Sequence, residues 1–328
     1  MAGACPKRLA IVGTGRVAER HAEAILEIAP DSLAGAWNRT TKAAERFCQR
    51  FDCRHYATID EAYADASLDA VLITTATHAH YQMARGALEA GKHVLLEKPL
   101  CETSDQIAEL AALARSKGRV CMPAHNYIYA ENMRRLKRHI QSGDLGRIAS
   151  FWAMFNNQHA PDAGTPDMAM RELMVHHAYA TLYLLGRPRD VWATASNVTF
   201  DDPAAHDQVM IVASFDDGTI ANLWGNMGTD DRSSAPWSVH FKAIGTRGSG
   251  VASWDQIKFG PEPEPLWDDA SYRDSFLFTD RYFLEECLGK GKAPLSTLED
   301  ALDAATIIET ARKSLASGRK EKITYHST

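Results

Sequence analysis

The stretch "RLAIVGTGRVAERHA", residues 8–22, decides the fold. Residues 8–13 are a short apolar run that ends in glycine, the pattern of a buried strand, and residues 17–29 follow with helical spacing. Gly13 permits a tight turn, Gly15 lets a backbone approach a pyrophosphate, and Ala18 lets the helix pack close against the strand. A helix starting here turns free N–H groups and the positive end of its dipole toward phosphate. Gly-x-Gly-x-x-Ala carries weight only inside a strand-turn-helix context. The neighbouring sequence must therefore supply that context.

It does so over the first third of the chain. "SLAGAWN" (32–38), "AVLITT" (70–75) and "HVLLE" (93–97) read as further strands. Between them lie helical patterns at 41–51 and 80–91, and another follows at 104–118 with Ser104 as candidate N-cap and Gly118 as stop. Near-continuous apolar strands alternating with helices predict an α/β, doubly wound parallel Rossmann sheet, assigned to residues 1–124.

Residues 125–328 read as an α+β domain with a large, mostly antiparallel open sheet. Helices are expected over 131–142 and 170–185, and strands at 147–155, 190–200, 208–215, 218–226 and 238–245. "FDDG" (215–218) carries the Asp-Gly pair of a tight hairpin. "GPEPEPLWDD" (260–269) reads as a proline-rich surface loop, and residues 297–318 as an amphipathic helix with Thr297 as cap and Gly318 past its end.

Composition bounds the function. The 328 residues are 45 % hydrophobic and 24 % charged, with a net charge of −6. An acidic surface disfavours nucleic acid and anionic membrane as partners. No apolar run is long enough to cross a bilayer, and "MAGACPKRLAIVG" lacks the pattern of a signal peptide. Six cysteines with no CxxC pair fit neither a zinc motif nor a disulfide scaffold, which points to reduced thiols in the cytoplasm.

Two further features speak of chemistry. The second strand ends in Asn38, Arg39 and Thr40, where an NAD-binding fold usually places an acid for the ribose 2′-OH. These three residues can donate hydrogen bonds to a 2′-phosphate, so NADP is the preferred cofactor and NAD the alternative. The fourth strand runs into Glu97-Lys98-Pro99, a carboxylate and an ammonium at a strand's carboxyl end, where open α/β sheets bind ligands.

With "VGTGRVAERHA", "TTATHAHYQMARGALEAGKHVLLEKPL", "LKRHIQSGDLGRI" and "HHAYATLYLLG", the chain resembles the glucose-fructose oxidoreductase / inositol dehydrogenase / rhizopine-catabolism (Gfo/Idh/MocA) family over nearly its whole length. The resemblance implies that Gly13, Thr14, Gly15, Arg16, Val17, Asn38, Arg39, Thr40, Thr75, Thr77, His80, Glu97 and Lys98 bind cofactor. Ala76 stands where the family has proline. It implies that Lys98 reaches the substrate hydroxyl that becomes a carbonyl, and that the Lys98–Pro99 bond is cis. Glu97 is then a cofactor or structural contact.

Aligning "MRELMVHHAYATLYLLG" (170–186) with the family's Asp-x-Gly-x-His-x-x-Asp pattern puts the histidine at His176 and the first aspartate at Glu172. Four residues apart, both would share one helix face. The family glycine and last aspartate become Met174 and Tyr179. His176 is the expected general acid–base and Glu172 its orienting group. By the same resemblance, Asn126 and Tyr127, and also Asn157 and His159, are expected to line the substrate cleft. His177 lies about 100° around the helix from His176, so no metal is expected. "SFWAMF" reads as core.

The implied activity is hydride transfer between nicotinamide and a secondary alcohol or ketone of a sugar, cyclitol or related polyol, in a homodimer or homotetramer. Some relatives with this fold are instead cofactor-sensing regulators without catalysis, and others cleave glycosides through transient oxidation.

Overall fold

The computed structural model describes residues 7–229, 237–255, 258–259, 266–267 and 270–326. They fall into two compact units: Met1–Tyr129 with Arg273–Leu302, and Ala130–Tyr272 with Asp303–Thr328.

The first unit holds a six-stranded sheet in the order β3-β2-β1-β4-β5-β6, with every pair parallel. Its elements are β1 (Leu9–Val12), α1 (Arg16–Ile28), β2 (Leu33–Trp37), α2 (Thr41–Phe51), β3 (Arg54–His55), α3 (Ile59–Ala64), β4 (Ala70–Ile73), α4 (Thr77–Glu89), β5 (His93–Leu96), α5 (Ser104–Lys117) and β6 (Cys121–Pro123). Strands β1 and β4 are buried along their whole length, as expected of runs covered on both faces. The chain builds outward from β1 through β2 to β3, then resumes on the other side with β4. This leaves the carboxyl ends of β1 and β4 adjacent at the topological switch point. The short β3 and β6 carry too few residues for a pattern, and the sequence reading missed both.

Helix α5 is capped by Thr103, not Ser104. Thr103 is extended (φ −132°, ψ 154°) and its hydroxyl accepts from the Gln106 N–H, while Ser104 is already helical and buried. A 3₁₀ turn over Asn126–Tyr129 follows β6. The late segment Arg273–Leu302 belongs to this unit, whereas a single cut at 124/125 would assign it to the second domain. Its ties are specific: Asn126 Nδ2 donates to Ser275 Oγ (3.0 Å), His125 Nδ1 meets Ser296 Oγ (2.7 Å), and Arg115 pairs with Glu299.

The second unit starts with α6 (Glu131–Gln141), β7 (Ile148–Asn157), α7 (Met168–Glu172), α8 (Met174–Leu185), β8 (Asp190–Ser196), β9 (Gln208–Ser214), β10 (Ile220–Asn226), β11 (Trp237–Gly245) and β12 (Ser249–Asp255). The two-residue pair β13 (Lys258–Phe259) and β14 (Leu266–Trp267), helix α9 (Ala270–Arg281) running into a π-helical turn (Tyr282–Leu288), α10 (Leu298–Ser317) and β15 (Glu321–Lys322) complete the chain. Most of the proline-rich stretch 260–269 lies outside the described residues.

The seven-stranded sheet runs β12-β11-β7-β10-β9-β8-β15, antiparallel except between β7 and β10. Strand alternation sorts its faces. Phe151, Ala153, Phe155, Leu223, Ile211 and Phe241 are buried, so only alternate residues of "SFWAMF" are core. Register sets Trp192, Val212, Asn222, Trp152, Lys242 and Val251 side by side on the other face, where Trp152 is 49 % exposed.

Several expectations shift here. Strand β8 stops at Ser196 because Asn197 turns the chain: its side chain accepts from Phe200 N–H and donates to the carbonyls of Phe200 and Asp202. "FDDG" does join β9 to β10, with Gly218 at φ +90° and its N–H on the Phe215 carbonyl. Thr297 caps α10 reciprocally with Asp300. The expected helix 170–185 is two helices, interrupted at Leu173 (φ −98°, ψ −47°), so Glu172 and His176 do not share one continuous helix.

Candidate functional site

At the switch point the glycine turn has the form a dinucleotide requires. Gly13 has φ +98°, and a Cβ there would sit 2.8 Å from Thr75 N and 2.9 Å from the Thr74 carbonyl carbon. Only glycine satisfies both the dihedral and the space. Thr74 Oγ1 donates to Gly13 O (2.7 Å), holding β4 and the turn together. Gly15 is the N-cap of α1 without a side-chain cap, and a Cβ there would meet nothing within 4 Å. The hydroxyls of Thr14 and Thr75 are buried and unbonded among the described residues. Open space before an uncapped helix start, bordered by two buried hydroxyls, fits a dinucleotide pyrophosphate. Arg16 and Val17 begin α1 beside it.

Beyond β2, Arg39 and Thr40 are exposed, and Asn38 Nδ2 donates to Thr40 O at 3.4 Å. This strand end carries no carboxylate. Ala76 keeps φ −67° at the N-cap of α4, the value that a proline would impose, so its departure from the family pattern leaves the turn intact. Thr77 opens that helix, and His78 is exposed.

His80 lies between two loops. It is buried, its Nε2 donates to the Thr75 carbonyl (2.8 Å), and its Nδ1 lies 3.0 and 3.2 Å from the carbonyl oxygens of Pro99 and Leu100. Both ring nitrogens are committed to main chain. His80 therefore braces the loop of Thr75 against the loop of Lys98.

The Lys98 loop leaves β5 with a cis Lys98–Pro99 bond. Glu97 is a structural contact: Oε1 accepts from His21 Nε2 (3.0 Å), and Oε2 accepts from the Lys98 main-chain N–H (2.9 Å). Behind it, Asp280 clasps His21 Nδ1 with both carboxylate oxygens, at 2.8 and 3.0 Å. Burial alone would lower the pKa of His21, but the two carboxylates outweigh burial and raise it to about 10, so the ring is an imidazolium at neutral pH. Burial pushes Asp280 upward against the pull of His21. The sequence reading missed His21 and Asp280. One signal existed: His21 falls on the buried stripe Ala18, His21, Ala22, Ile25 of α1. Asp280, 259 residues away, gave none.

Asn126 and Tyr127 lie inside. Asn126 is buried on Ser275, and Tyr127 is only 1 % exposed. Both occupy the 3₁₀ turn, which packs inward.

In the second unit, His176 sits in the first turn of α8, buried, with Nδ1 2.7 Å from the Tyr179 hydroxyl and its ring 5.5 Å from that of Phe155. A phenol thus takes up the imidazole at the position where the family pattern has aspartate. Glu172 ends α7 and accepts from Arg171 Nε at 3.0 Å. Met174 fills the space opposite Gly225, whose Cβ would lie 3.1 Å from the Met174 sulfur. His177 points elsewhere: Nε2 donates to Trp224 O (2.8 Å), and burial lowers its pKa to about 4. Asn157 Nδ2 and His159 Nε2 are 3.3 Å apart.

Comparison with known proteins bears on the fold. Residues 7–125 match the NAD-binding Rossmann fold of the GFO/IDH/MocA oxidoreductase family, and residues 133–251 match the GFO/IDH/MocA C-terminal domain. The chain is 28 % identical over 198 residues to scyllo-inositol 2-dehydrogenase (NADP(+)) IolU of Bacillus subtilis, spanning 57 % of this chain and 60 % of that protein. It is 24 % identical over 314 residues to 4-carboxy-2-hydroxymuconate-6-semialdehyde dehydrogenase of a Sphingobium species, spanning 92 % and 96 %. The crystal structure of GenD2 from gentamicin A biosynthesis, in complex with NAD, superimposes with a TM-score of 0.83 at 25 % identity, covering 98 % of this chain and all of that one. With a Rossmann sheet, its glycine turn and the second sheet domain all accounted for, the chain belongs to the GFO/IDH/MocA family of NAD(P)-dependent oxidoreductases.

Proposed function

We propose that the protein is an NADP-preferring oxidoreductase acting on a secondary alcohol or ketone of a sugar, cyclitol or related polyol. The observation that carries this reading is the linkage of Lys98 to the dinucleotide cradle. Gly13 packs on Thr75, Thr75 is bonded to His80, and His80 grips the loop that presents Lys98.

In this reading Gly13 to Val17 receive the pyrophosphate, Asn38, Arg39 and Thr40 the adenosine ribose, and Thr75 and Thr77 the nicotinamide half. The bound dinucleotide supplies the hydride acceptor or donor. Lys98 donates a hydrogen bond to the substrate oxygen and stabilises negative charge as it develops there. His176 takes or returns the hydroxyl proton, and Glu172 orients the substrate. The polyol class is supported by the Bacillus relative, whose name specifies scyllo-inositol and NADP. The exposed Trp152 face of the second sheet supports a homodimer or homotetramer.

The test is a thermal-shift and turnover screen with NADP, NAD, inositols, sugars and the carboxylated semialdehyde of the Sphingobium relative. NADP should raise the melting temperature more than NAD, and one polyol should reduce it. Arg39→Asp should weaken NADP binding by at least about tenfold, ~1.4 kcal/mol, and spare NAD. Cofactor binding without turnover of any substrate would favour a regulator, and cofactor that co-purifies would favour glycoside cleavage. Equal affinity for the two cofactors would overturn the NADP preference.

A further inference from the structure

We propose that Asp280, His21 and Glu97 form a buried positioning relay that fixes the direction in which Lys98 leaves the end of β5. The inference rests on the reading of Lys98 above and adds His21 and Asp280 to it, with Glu97 as their link to the loop.

The relay has one orientation and one end. Asp280 holds Nδ1 of His21 with both oxygens, which points Nε2 at Glu97 Oε1; the remaining oxygen, Oε2, accepts the Lys98 N–H. Phe276 stands edge-on to the imidazole, with centroids 4.9 Å apart at 84°, and blocks rotation of the ring. His21 is 0 %, Asp280 1 % and Glu97 8 % exposed. Three ionisable groups out of water are a costly way to join α1, β5 and α9 if adhesion were all that was needed, because apolar side chains of similar volume hold such junctions at least as well. What charged hydrogen bonds add is direction. Here the direction terminates on the main chain of the one lysine in the loop. A π-helical turn begins at Tyr282, two residues after Asp280, and such turns are frequent at functional positions. From the opposite side His80 holds the next two carbonyls, Pro99 and Leu100, so Lys98 emerges from a loop gripped on both flanks.

The decisive variant is Glu97→Gln. His21 Nε2–H and the Lys98 N–H are both donors, and an amide offers a single acceptor oxygen in place of two. An amide keeps both links only if His21 gives up its Nε2 proton and accepts from the amide NH2, so the substitution removes either one link or the imidazolium charge. Volume is unchanged, so the fold should persist. Asp280→Asn tests the far end. Three quantities are read: the Kd for NADP, kcat and KM with the substrate found in the screen, and the ¹³C resonance of Lys98 in reductively ¹³C-methylated protein without cofactor, assigned by its loss in Lys98→Arg.

Glu97→Gln and Asp280→Asn should each lower kcat by about a hundredfold, as a misplacement of order 1 Å does. KM and Kd should stay within about threefold. The Lys98 resonance should move toward that of an exposed lysine. Lowered stability with unchanged kcat and an unchanged Lys98 resonance would reduce the three residues to a structural junction and overturn the proposal. The resonance needs no substrate. If no polyol is turned over, the relay is still tested, because an unmoved Lys98 signal in both variants contradicts it by itself.

Discussion

The Lys98 loop in the first unit and the His176 turn in the second are stabilised in opposite ways. Around Lys98 the hydrogen bonds come from elements far apart in sequence: α1 through His21, α9 through Asp280, α4 through His80. Around His176 the bond to Tyr179 lies within one helical turn, and Glu172 meets its own neighbour, Arg171. A group held by tertiary contacts is aimed by the whole fold. The hydrogen bond of His176 to Tyr179 depends on local sequence, although its ring also meets Phe155 of β7. Lys98 should therefore be sensitive to substitutions in α1, α4 and α9, and the His176 ring to Tyr179 and Phe155.

The largest effect that would break this contrast is at the imidazole itself. His176→Gln removes the proposed acid–base group and should lower kcat by ~10²- to 10⁴-fold. Tyr179→Phe removes one neutral hydrogen bond, ~1 kcal/mol or about fivefold. A loss for Tyr179→Phe that equals the loss for His176→Gln would show the phenol to be part of the chemistry rather than a support.

Next comes pH. The pKa of His21 is raised in the folded state, so the stability it contributes is complete below the unfolded value of 6.5 and is lost as pH rises toward about 10. The urea midpoint should decline across that window in the wild type and more shallowly in His21→Gln. His177, lowered by burial to about 4, acts with the opposite sign: its cost grows as pH falls from 6.5 toward 4. The two windows do not overlap, so the alkaline arm reports on His21, while the acid arm sums His177 with His125 of the first unit, which burial lowers to about 3. A midpoint that is flat above 6.5 would remove the charged form of His21 from the account.

The smallest effect concerns Ala76. Its φ of −67° already suits proline, and its N–H makes no main-chain hydrogen bond among the described residues. Ala76→Pro should stabilise the protein by ~0.4–1 kcal/mol in denaturant unfolding. Destabilisation would mean that the Thr75 turn depends on that N–H.

How much of this was legible follows the same contrast. Local rules predicted α2 to the residue, the α10 cap and the glycine turn, because patterning, caps and Gly13 act over a few neighbours. They also led from Glu97-Lys98-Pro99 to the end of β5. They failed where the deciding partner is remote or the element too short. Asp280 reaches His21 only through the fold, and His80 reaches Pro99 in the same way. The break at Leu173 comes where the start of α8 packs on Gly225, which no helical spacing announces. Thr103 displaced Ser104 as a cap by a single residue, the resolution at which such signals compete.

The most direct test follows a deuterium label from the oxidised carbon of the accepted substrate to the nicotinamide ring, in wild type and in Lys98→Ala, with cofactor affinity measured on the same samples. The account predicts that label passes in the wild type and not detectably in Lys98→Ala, while NADP binds both with affinities within about threefold, because uniform binding and transition-state stabilisation separate in this way. Label transfer that persists without the Lys98 ammonium would contradict it.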